Sequence, residues 1–390
     1  KHLAEFALRR ELQSTIFAAM SEEPAAKRVK TDIGEKVRFG IVGCGMGSVT
    51  HAWAFERMAC AEFVAVYGRS EEKAKAFAEK WGAKRHYSDI AAFCADSEID
   101  AVVICVPNAL HAEFAVPCAK AGKHLVVEKP LDTTLEKGLA IYQACKDAGV
   151  VLTGIYQMRF CEATKKILKA IRGDRLGRLI HCDIYDKELR DASYYGEGGH
   201  HWWAGQKSLA GGGCLTTQAA HVLDLMTLFM GEAESVFAKA RRAGVHENMS
   251  VEDLCSAIVT FKSGATATVT SATCINPAFK HRIEIHGTKG TVMMNGEYDK
   301  IVFWNVEGEE KIDELGSFGV TDIVDPHGFP MDRHIANLQD FVNAVQSAGK
   351  LKPQLNAKEF LKSEIVRFAF YESAQTGKEV KIDYSRVPTD

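Results

Sequence analysis

Glu128-Lys129-Pro130 directly follows the apolar run His124-Leu125-Val126-Val127. Proline has a fixed φ and no N–H, so it ends a strand sharply. If the run is a strand of a parallel sheet, Lys129 stands at the carboxyl edge, where open α/β sheets bind ligands. An ammonium group there can hold a reacting oxygen and stabilise alkoxide character. Upstream, Gly43-Cys44-Gly45-Met46-Gly47 ends another apolar run, Val37–Val42. Glycines at such a turn let the backbone lie against a pyrophosphate, and the helix start behind them supplies N–H donors and a positive dipole end. The third glycine of the usual fingerprint falls at Ser48, with Gly47 one residue early. The two features together imply a nucleotide-binding enzyme with a lysine in its active site.

The next apolar run, Phe63–Tyr67, bears on which nucleotide. Sheets that bind NAD place a carboxylate at the end of this strand for the ribose 2′-hydroxyl. Here the strand runs into Gly68-Arg69-Ser70, with no carboxylate before Glu71. A small residue followed by a guanidinium and a hydroxyl suits a 2′-phosphate. NADP is therefore expected in preference to NAD.

The elements that must position these groups alternate from Lys36 onward. Strand-like runs at 37–42, 63–67, 101–106, 124–127 and 150–155 are separated by helical stretches, the pattern of βαβ units and a parallel sheet. After about Gly177 the pattern changes to β-rich segments with hairpin turns at Lys262-Ser263-Gly264 and Gly287-Thr288-Lys289-Gly290. One helix is expected over Leu215–Met230 and two more over 332–347 and 357–374. The expected fold class is α/β: an N-terminal Rossmann doubly wound parallel sheet, then a C-terminal α+β domain with a large, mostly antiparallel open sheet. The expected divisions are a flexible extension at 1–35, the dinucleotide-binding domain at 36–156, the substrate and oligomerisation domain at 157–384, and a tail at 385–390. Helix 357–375 is expected to pack back on the first domain.

The chain has 390 residues, 46% hydrophobic and 25% charged, with a net charge of −3. No basic excess suggests direct nucleic-acid binding, and no apolar run approaches the roughly 20 residues that span a bilayer. The 11 cysteines form no C-x-x-C pair and read as reduced thiols of a cytoplasmic protein. Lys27-Arg28-Val29-Lys30 fits a short nuclear-import signal as well as a solvated linker. His200-His201 lacks the carboxylate–histidine spacing of a metal site, and no metal is expected.

The ordered set Gly43-x-Gly45, Val106-Pro107-Asn108-x-x-His111, Glu128-Lys129-Pro130, Gln157-Met158-Arg159-Phe160, Gly211-Gly212-Gly213-x-Leu215 and His221 resembles the glucose-fructose oxidoreductase / inositol dehydrogenase / rhizopine catabolism (Gfo/Idh/MocA) family. The resemblance spans residues 36–384. It implies hydride exchange between a nicotinamide and a carbinol or carbonyl carbon of a sugar, sugar derivative or cyclitol. It places Gly43 to Gly47, Gly68, Arg69, Ser70, Val106, Pro107, Asn108, His111, Glu128, Lys129, Pro130, Gln157 and Arg159 around the cofactor. It also implies a homodimer or homotetramer built on the C-terminal sheet.

Within that resemblance Lys129 and His221 are the catalytic candidates: the lysine on the reacting oxygen, the histidine for proton transfer. Taken alone, His221 reads rather as a helix histidine capping or packing against Asp224. Many family members carry an Asp four residues before the histidine; here Thr217 occupies that position. Its hydroxyl is expected to bond His221 or a substrate. Tyr195 and Trp203, in an aromatic segment before the glycines, are further substrate candidates. Two alternatives stay open: a catalytically weak NADP-binding regulator resembling a co-repressor, and redox-assisted glycoside cleavage.

Overall fold

The computed structural model describes residues 35–196, 201–247, 249–279, 281–295, 300–315, 320–321 and 332–388. The Lys27–Lys30 cluster and His200 lie outside the described residues.

Six short strands form the first sheet: β1 (Val37–Val42), β2 (Ala61–Tyr67), β3 (Arg85–Tyr87), β4 (Ala101–Ile104), β5 (His124–Val127) and β6 (Leu152–Gly154). Their order is β3-β2-β1-β4-β5-β6, and every pairing is parallel. β1, β4 and β5 are almost wholly buried, as near-continuous Val/Ile runs covered by helices on both faces must be. The strand order reverses between β1 and β4, which opens a crevice at their carboxyl ends. The glycine turn leaves β1 there, Val106-Pro107-Asn108 leaves β4, and Glu128-Lys129 leaves β5. The helix Glu71–Trp81 shows how local sequence sets these ends. Ser70 Oγ accepts from the Lys73 N–H, Glu71 and Glu72 sit in the first turn, and Gly82 closes the helix at φ 73°, a conformation natural to glycine.

The second sheet has nine strands in the order β15-β14-β13-β12-β7-β10-β9-β8-β17. They are β7 (Leu179–Lys187), β8 (Ala233–Arg241), β9 (Leu254–Phe261), β10 (Thr266–Ala272), β12 (Arg282–Gly287), β13 (Gly290–Asn295), β14 (Lys300–Val306), β15 (Ile312–Asp313) and β17 (Val380–Lys381). A separate pair joins β11 (Ala278–Phe279) to β16 (Val320–Thr321). All the large-sheet pairings are antiparallel except β7 with β10. One face packs on helices Ala220–Met230 and Ala357–Thr376; the other carries half-buried threonines and charged groups, the one-sided burial typical of antiparallel sheets.

Both C-terminal helices reach the first sheet. Ala357–Thr376 touches β6 and the helix Leu135–Ala148. Asp332–Gln346 inserts Leu338, Phe341, Val342 and Val345 into the apolar cluster around Phe39, Ile41 and Phe55. The expected single helix over 215–230 is instead two pieces, Cys214–Thr217 and Ala220–Met230. An unbroken α-helix would bond the Thr217 carbonyl to the N–H of residue 221; here that carbonyl accepts from Lys129 Nζ at 2.5 Å.

Candidate functional site

The lysine turn is held from three sides. Lys129 Nζ reaches the Thr217 carbonyl, which ties the end of β5 to the second domain. His111 lies between two turns, with Nδ1 2.9 Å from the Pro130 carbonyl and Nε2 2.9 Å from that of Val106. Arg367, from the last long helix, donates to the Asp132 carbonyl at 2.9 Å and to Thr216 Oγ1 at 3.2 Å. The same guanidinium pairs with the Glu364 carboxylate. Lys129-Pro130 is a cis peptide. Glu128 points the other way, its Oε1 2.8 Å from His51 Nε2. Burial alone would raise this carboxyl, but His51, His334 and Lys129 overcome it and hold the group at about 2. For Lys129 the order is reversed: burial lowers its pKa more than Glu128, Glu188 and Asp186 raise it.

A cavity of about 650 Å³ opens above these residues. One end fits a dinucleotide. Gly43 has φ +115°, and a Cβ there would collide with the Cys105 carbonyl, so only glycine allows this approach. Gly45 is the N-cap of helix Met46–Phe55, makes no side-chain cap, and faces open space where a Cβ would stand. The helix start is thus available to an anion. Gly68, Arg69 and Ser70 line the same end together with Lys73. Arg69 is exposed. Ser70 Oγ accepts the Lys73 N–H at 3.3 Å, which leaves its hydroxyl proton to donate. A nicotinamide dinucleotide, which supplies a hydride acceptor or donor when bound, would lie along Gly43–Gly47 with its adenosine end towards Arg69.

His221 lines the other end of the cavity with Thr217 and Lys129. Its ring meets Tyr156 edge-on at 5.8 Å, and Nδ1 is buried without a hydrogen-bond partner. Burial, then Lys129, His334 and His281, push its pKa well down, so the imidazole is neutral near pH 7. His334, lowered to about 4 chiefly by burial and the neighbouring His51, also lines the space. Across from Lys129, Asp186, Glu188, Arg190 and His281 form a buried ionic cluster on the cavity wall. Asp186, Glu188 and His281 bring donor atoms within 4.8 Å of one another. Arg190 already pairs with Glu188 at 2.6 Å, so the group reads as a charge-balanced network rather than a cation cage.

The cavity gathers every expected site residue except Arg159 and Tyr195. Arg159 is buried and grips Asp224 with two bonds, Nε–Oδ2 2.7 Å and Nη2–Oδ1 2.6 Å. That pair joins the turn after β6 to the helix of His221, and it also removes Asp224 as a partner for the histidine. Tyr195 turns into a small apolar cluster and donates to Thr273 Oγ1 at 3.1 Å. Asn108 and Thr217 border the cavity but spend their polar groups on the fold. Asn108 Nδ2 donates to the Ala210 carbonyl at 2.9 Å. The Thr217 hydroxyl donates to the Gly213 carbonyl at 2.8 Å rather than to His221.

Sequence reasoning missed His51, Lys73, His334 and the Asp186 cluster. The last had a legible signal. Cys182, Ile184, Asp186, Glu188 and Arg190 alternate inward with a period of two, and charged residues in that register mark a buried ionic site.

Two family models match the chain: an oxidoreductase-family NAD-binding Rossmann fold of the GFO/IDH/MocA type over residues 37–156 and a GFO/IDH/MocA C-terminal domain over 164–293. The chain is 28% identical to a 1,5-anhydro-D-fructose reductase of Ensifer adhaerens, over 70% of this chain and 82% of that protein. It is 28% identical to a D-xylose 1-dehydrogenase (NADP(+)) of Haloferax volcanii, over 88% of this chain and 98% of the relative. Among solved structures, the WlbA dehydrogenase from Bordetella pertussis in complex with NADH and UDP-GlcNAcA superposes with a TM-score of 0.77. The two share 28% identity, over 89% of this chain and 99% of that one.

Proposed function

The chain belongs to the Gfo/Idh/MocA oxidoreductase family, and from that premise we propose that it exchanges hydride between NADP(H) and a carbinol or carbonyl carbon of a sugar, sugar derivative or cyclitol. The observation that carries this reading is one cavity lined at once by the glycine turn, Lys129 and His221. In alcohol oxidation Lys129 would bind the reacting oxygen and stabilise its developing negative charge. His221, neutral at pH 7, can accept a hydrogen bond from a substrate hydroxyl and orient it. Half-buried Trp203 and exposed Trp202 on the cavity wall suit the apolar face of a sugar ring. Arg69, Ser70 and Lys73 support NADP over NAD through their complementarity to a 2′-phosphate.

The open face of the second sheet supports self-association. Phe237 and Ile258 are cross-strand neighbours there and remain exposed, a patch that a second copy of the chain would cover.

The test is direct. Purified protein is given NADP+ or NAD+ with a panel of sugars and cyclitols, and keto sugars with the reduced cofactors, while nicotinamide absorbance is followed. Lys129→Met and His221→Ala should each lower kcat by roughly 10²-fold or more. Protein that binds NADP+ but turns over nothing in either direction would refute the reading.

A further inference from the structure

The ionic cluster facing Lys129 has no part in the hydride-transfer scheme above. It begins at the carboxyl end of β7, where Asp186 is still paired with Ser271. Backbone pairing continues past Lys187, with the Glu188 N–H on the Ala272 carbonyl at 2.8 Å and the Arg190 N–H on that of Thr273 at 2.9 Å. The extended chain therefore keeps turning alternate side chains inward. Cys182 and Ile184 fill that register with apolar groups; Asp186, Glu188 and Arg190 fill it with charges, each 5% exposed or less. His281 closes the group, its Nε2 2.9 Å from Glu188 Oε1 and 3.3 Å from Asp186 Oδ1. Ser271 Oγ donates to Asp186 Oδ2 at 2.9 Å.

Burying two carboxylates and a guanidinium beside an imidazole is costly, and positions 186, 188 and 190 could instead continue the apolar pattern of β7. Such a cluster on the wall of a ligand cavity is a mark of function. The rest of the site lacks what the cluster has. The helical turn before His221 offers Thr217 in place of a carboxylate, and that hydroxyl is engaged with Gly213. An imidazolium at His221 is opposed by burial and by Lys129. Both carboxylates of the cluster act on Lys129.

We propose that Asp186, set by Ser271 and by the His281 bridge to Glu188, is the carboxylate that receives the substrate hydroxyl proton in the oxidation direction. This rests on the hydride-transfer reading. The O–H bond breaks and its proton goes to Asp186; the O–H electron pair becomes the second carbonyl bond. The C–H electron pair leaves as hydride to the nicotinamide, which is reduced. Reduction reverses each movement, with protonated Asp186 as the acid. The titrating environment suits the task. Burial raises the Asp186 carboxyl, His281 lowers it, Glu188 raises it, and the result is about 6, near the pH at which a proton acceptor works best. The charged and titratable groups facing it are His281, Glu188, Arg190, Lys129 and, from the turn Cys214–Thr217, Cys214.

Two readouts test this, both on the full chain. In the protein without cofactor, infrared difference titration should show a carboxyl group protonating near pH 6, absent in Asp186→Asn. With NADP+ and a turned-over sugar, kcat/KM for oxidation should fall on an acid limb near pH 6. Asp186→Asn should lower kcat at least ~10²-fold, with NADP+ affinity within twofold. Ser271→Ala removes one donor to the carboxylate without touching the cluster's charges, and should move the acid limb to higher pH. It serves also if Asp186→Asn does not fold. The proposal is overturned if no such carboxyl titrates between pH 5 and 7, or if the acid limb stays in place in these variants. Failure of the hydride-transfer reading looks different: wild-type protein that binds NADP+ and oxidises no sugar, which removes the proton-accepting role of Asp186 whatever the cofactor-free titration shows.

Discussion

Replacing Asp224 with alanine isolates the assignment of Arg159 to the fold rather than the cofactor. Arg159 and Asp224 are 5% and 1% exposed, and their two bonds measure 2.6 and 2.7 Å. Ser363 Oγ donates to the same carboxylate at 2.8 Å. Asp224→Ala leaves a guanidinium that cannot give up its proton buried without its counter-ion. Breaking a buried pair from one side costs about 3–5 kcal/mol, and the orphaned hydroxyl adds about 1 kcal/mol. Against a total stability of roughly 5–15 kcal/mol, that is about a quarter of the fold or more. Urea unfolding should show the midpoint falling with the slope unchanged. The double replacement Arg159→Met/Asp224→Leu removes both charges and should recover most of the loss, to within about 2 kcal/mol of wild type. NADP+ affinity should then stay within threefold of wild type. A loss under about 1 kcal/mol in Asp224→Ala would sink the energetic argument. A folded double variant with tenfold weaker cofactor binding would return Arg159 to the cofactor.

Three further outcomes are expected. Arg69→Ala should weaken NADP+ binding roughly 10- to 100-fold, the worth of one charge-assisted contact, and leave NAD+ within about threefold; equal losses for both cofactors would end the 2′-phosphate reading. Glu252 accepts from the Gly213 and Leu215 N–H groups and from Tyr371 Oη, which also bonds Thr216 Oγ1; Glu252→Ala should cost about 3 kcal/mol through two unsatisfied buried N–H groups, and an unchanged urea midpoint would contradict that. Burial holds His124 at about 4 against 6.5 in an unfolded chain, so unfolded chains take up a proton that native His124 refuses as pH falls from 6.5 towards 4. Stability should drop in that window by up to roughly 3 kcal/mol from this residue, while Asp186, raised to about 6, works in the opposite sense. His124→Asn keeps an acceptor for the Val151 N–H and should flatten the fall; a variant curve parallel to wild type would refute the attribution.

The parallel sheet was legible because buried strands write themselves as Val/Ile runs, and Gly43, with its φ of +115°, because few other residues can turn there. Lys129 was legible for the same local reason: a charged residue and a proline stopping an apolar run. Arg159 was misread because its partner is 65 residues away, and no local pattern tells a guanidinium facing phosphate from one facing Asp224. The Thr217 hydroxyl turns from His221 to the Gly213 carbonyl four residues back, a local choice that residue spacing does not reveal, while its own carbonyl is captured by Lys129 from another domain. His281 could not have been found, since it meets Glu188 only through the packing of β7 against β12.

Phe341 sets its ring, tilted by 48°, 6.1 Å from that of Phe39, a residue of the first strand. The dinucleotide-binding sheet is therefore completed by a helix that leaves the ribosome roughly 300 residues after its central strand. At about 5–20 residues per second, Phe39, Ile41 and Phe55 wait on the order of 15–60 s for their cover. During that interval the nascent first domain shows an apolar flank to water, and chaperones that recognise such flanks have a defined window in which to act. A chain stopped anywhere before residue 332 would lack that cover for good, leaving Phe39, Ile41 and Phe55 without Leu338, Phe341, Val342 and Val345 against them.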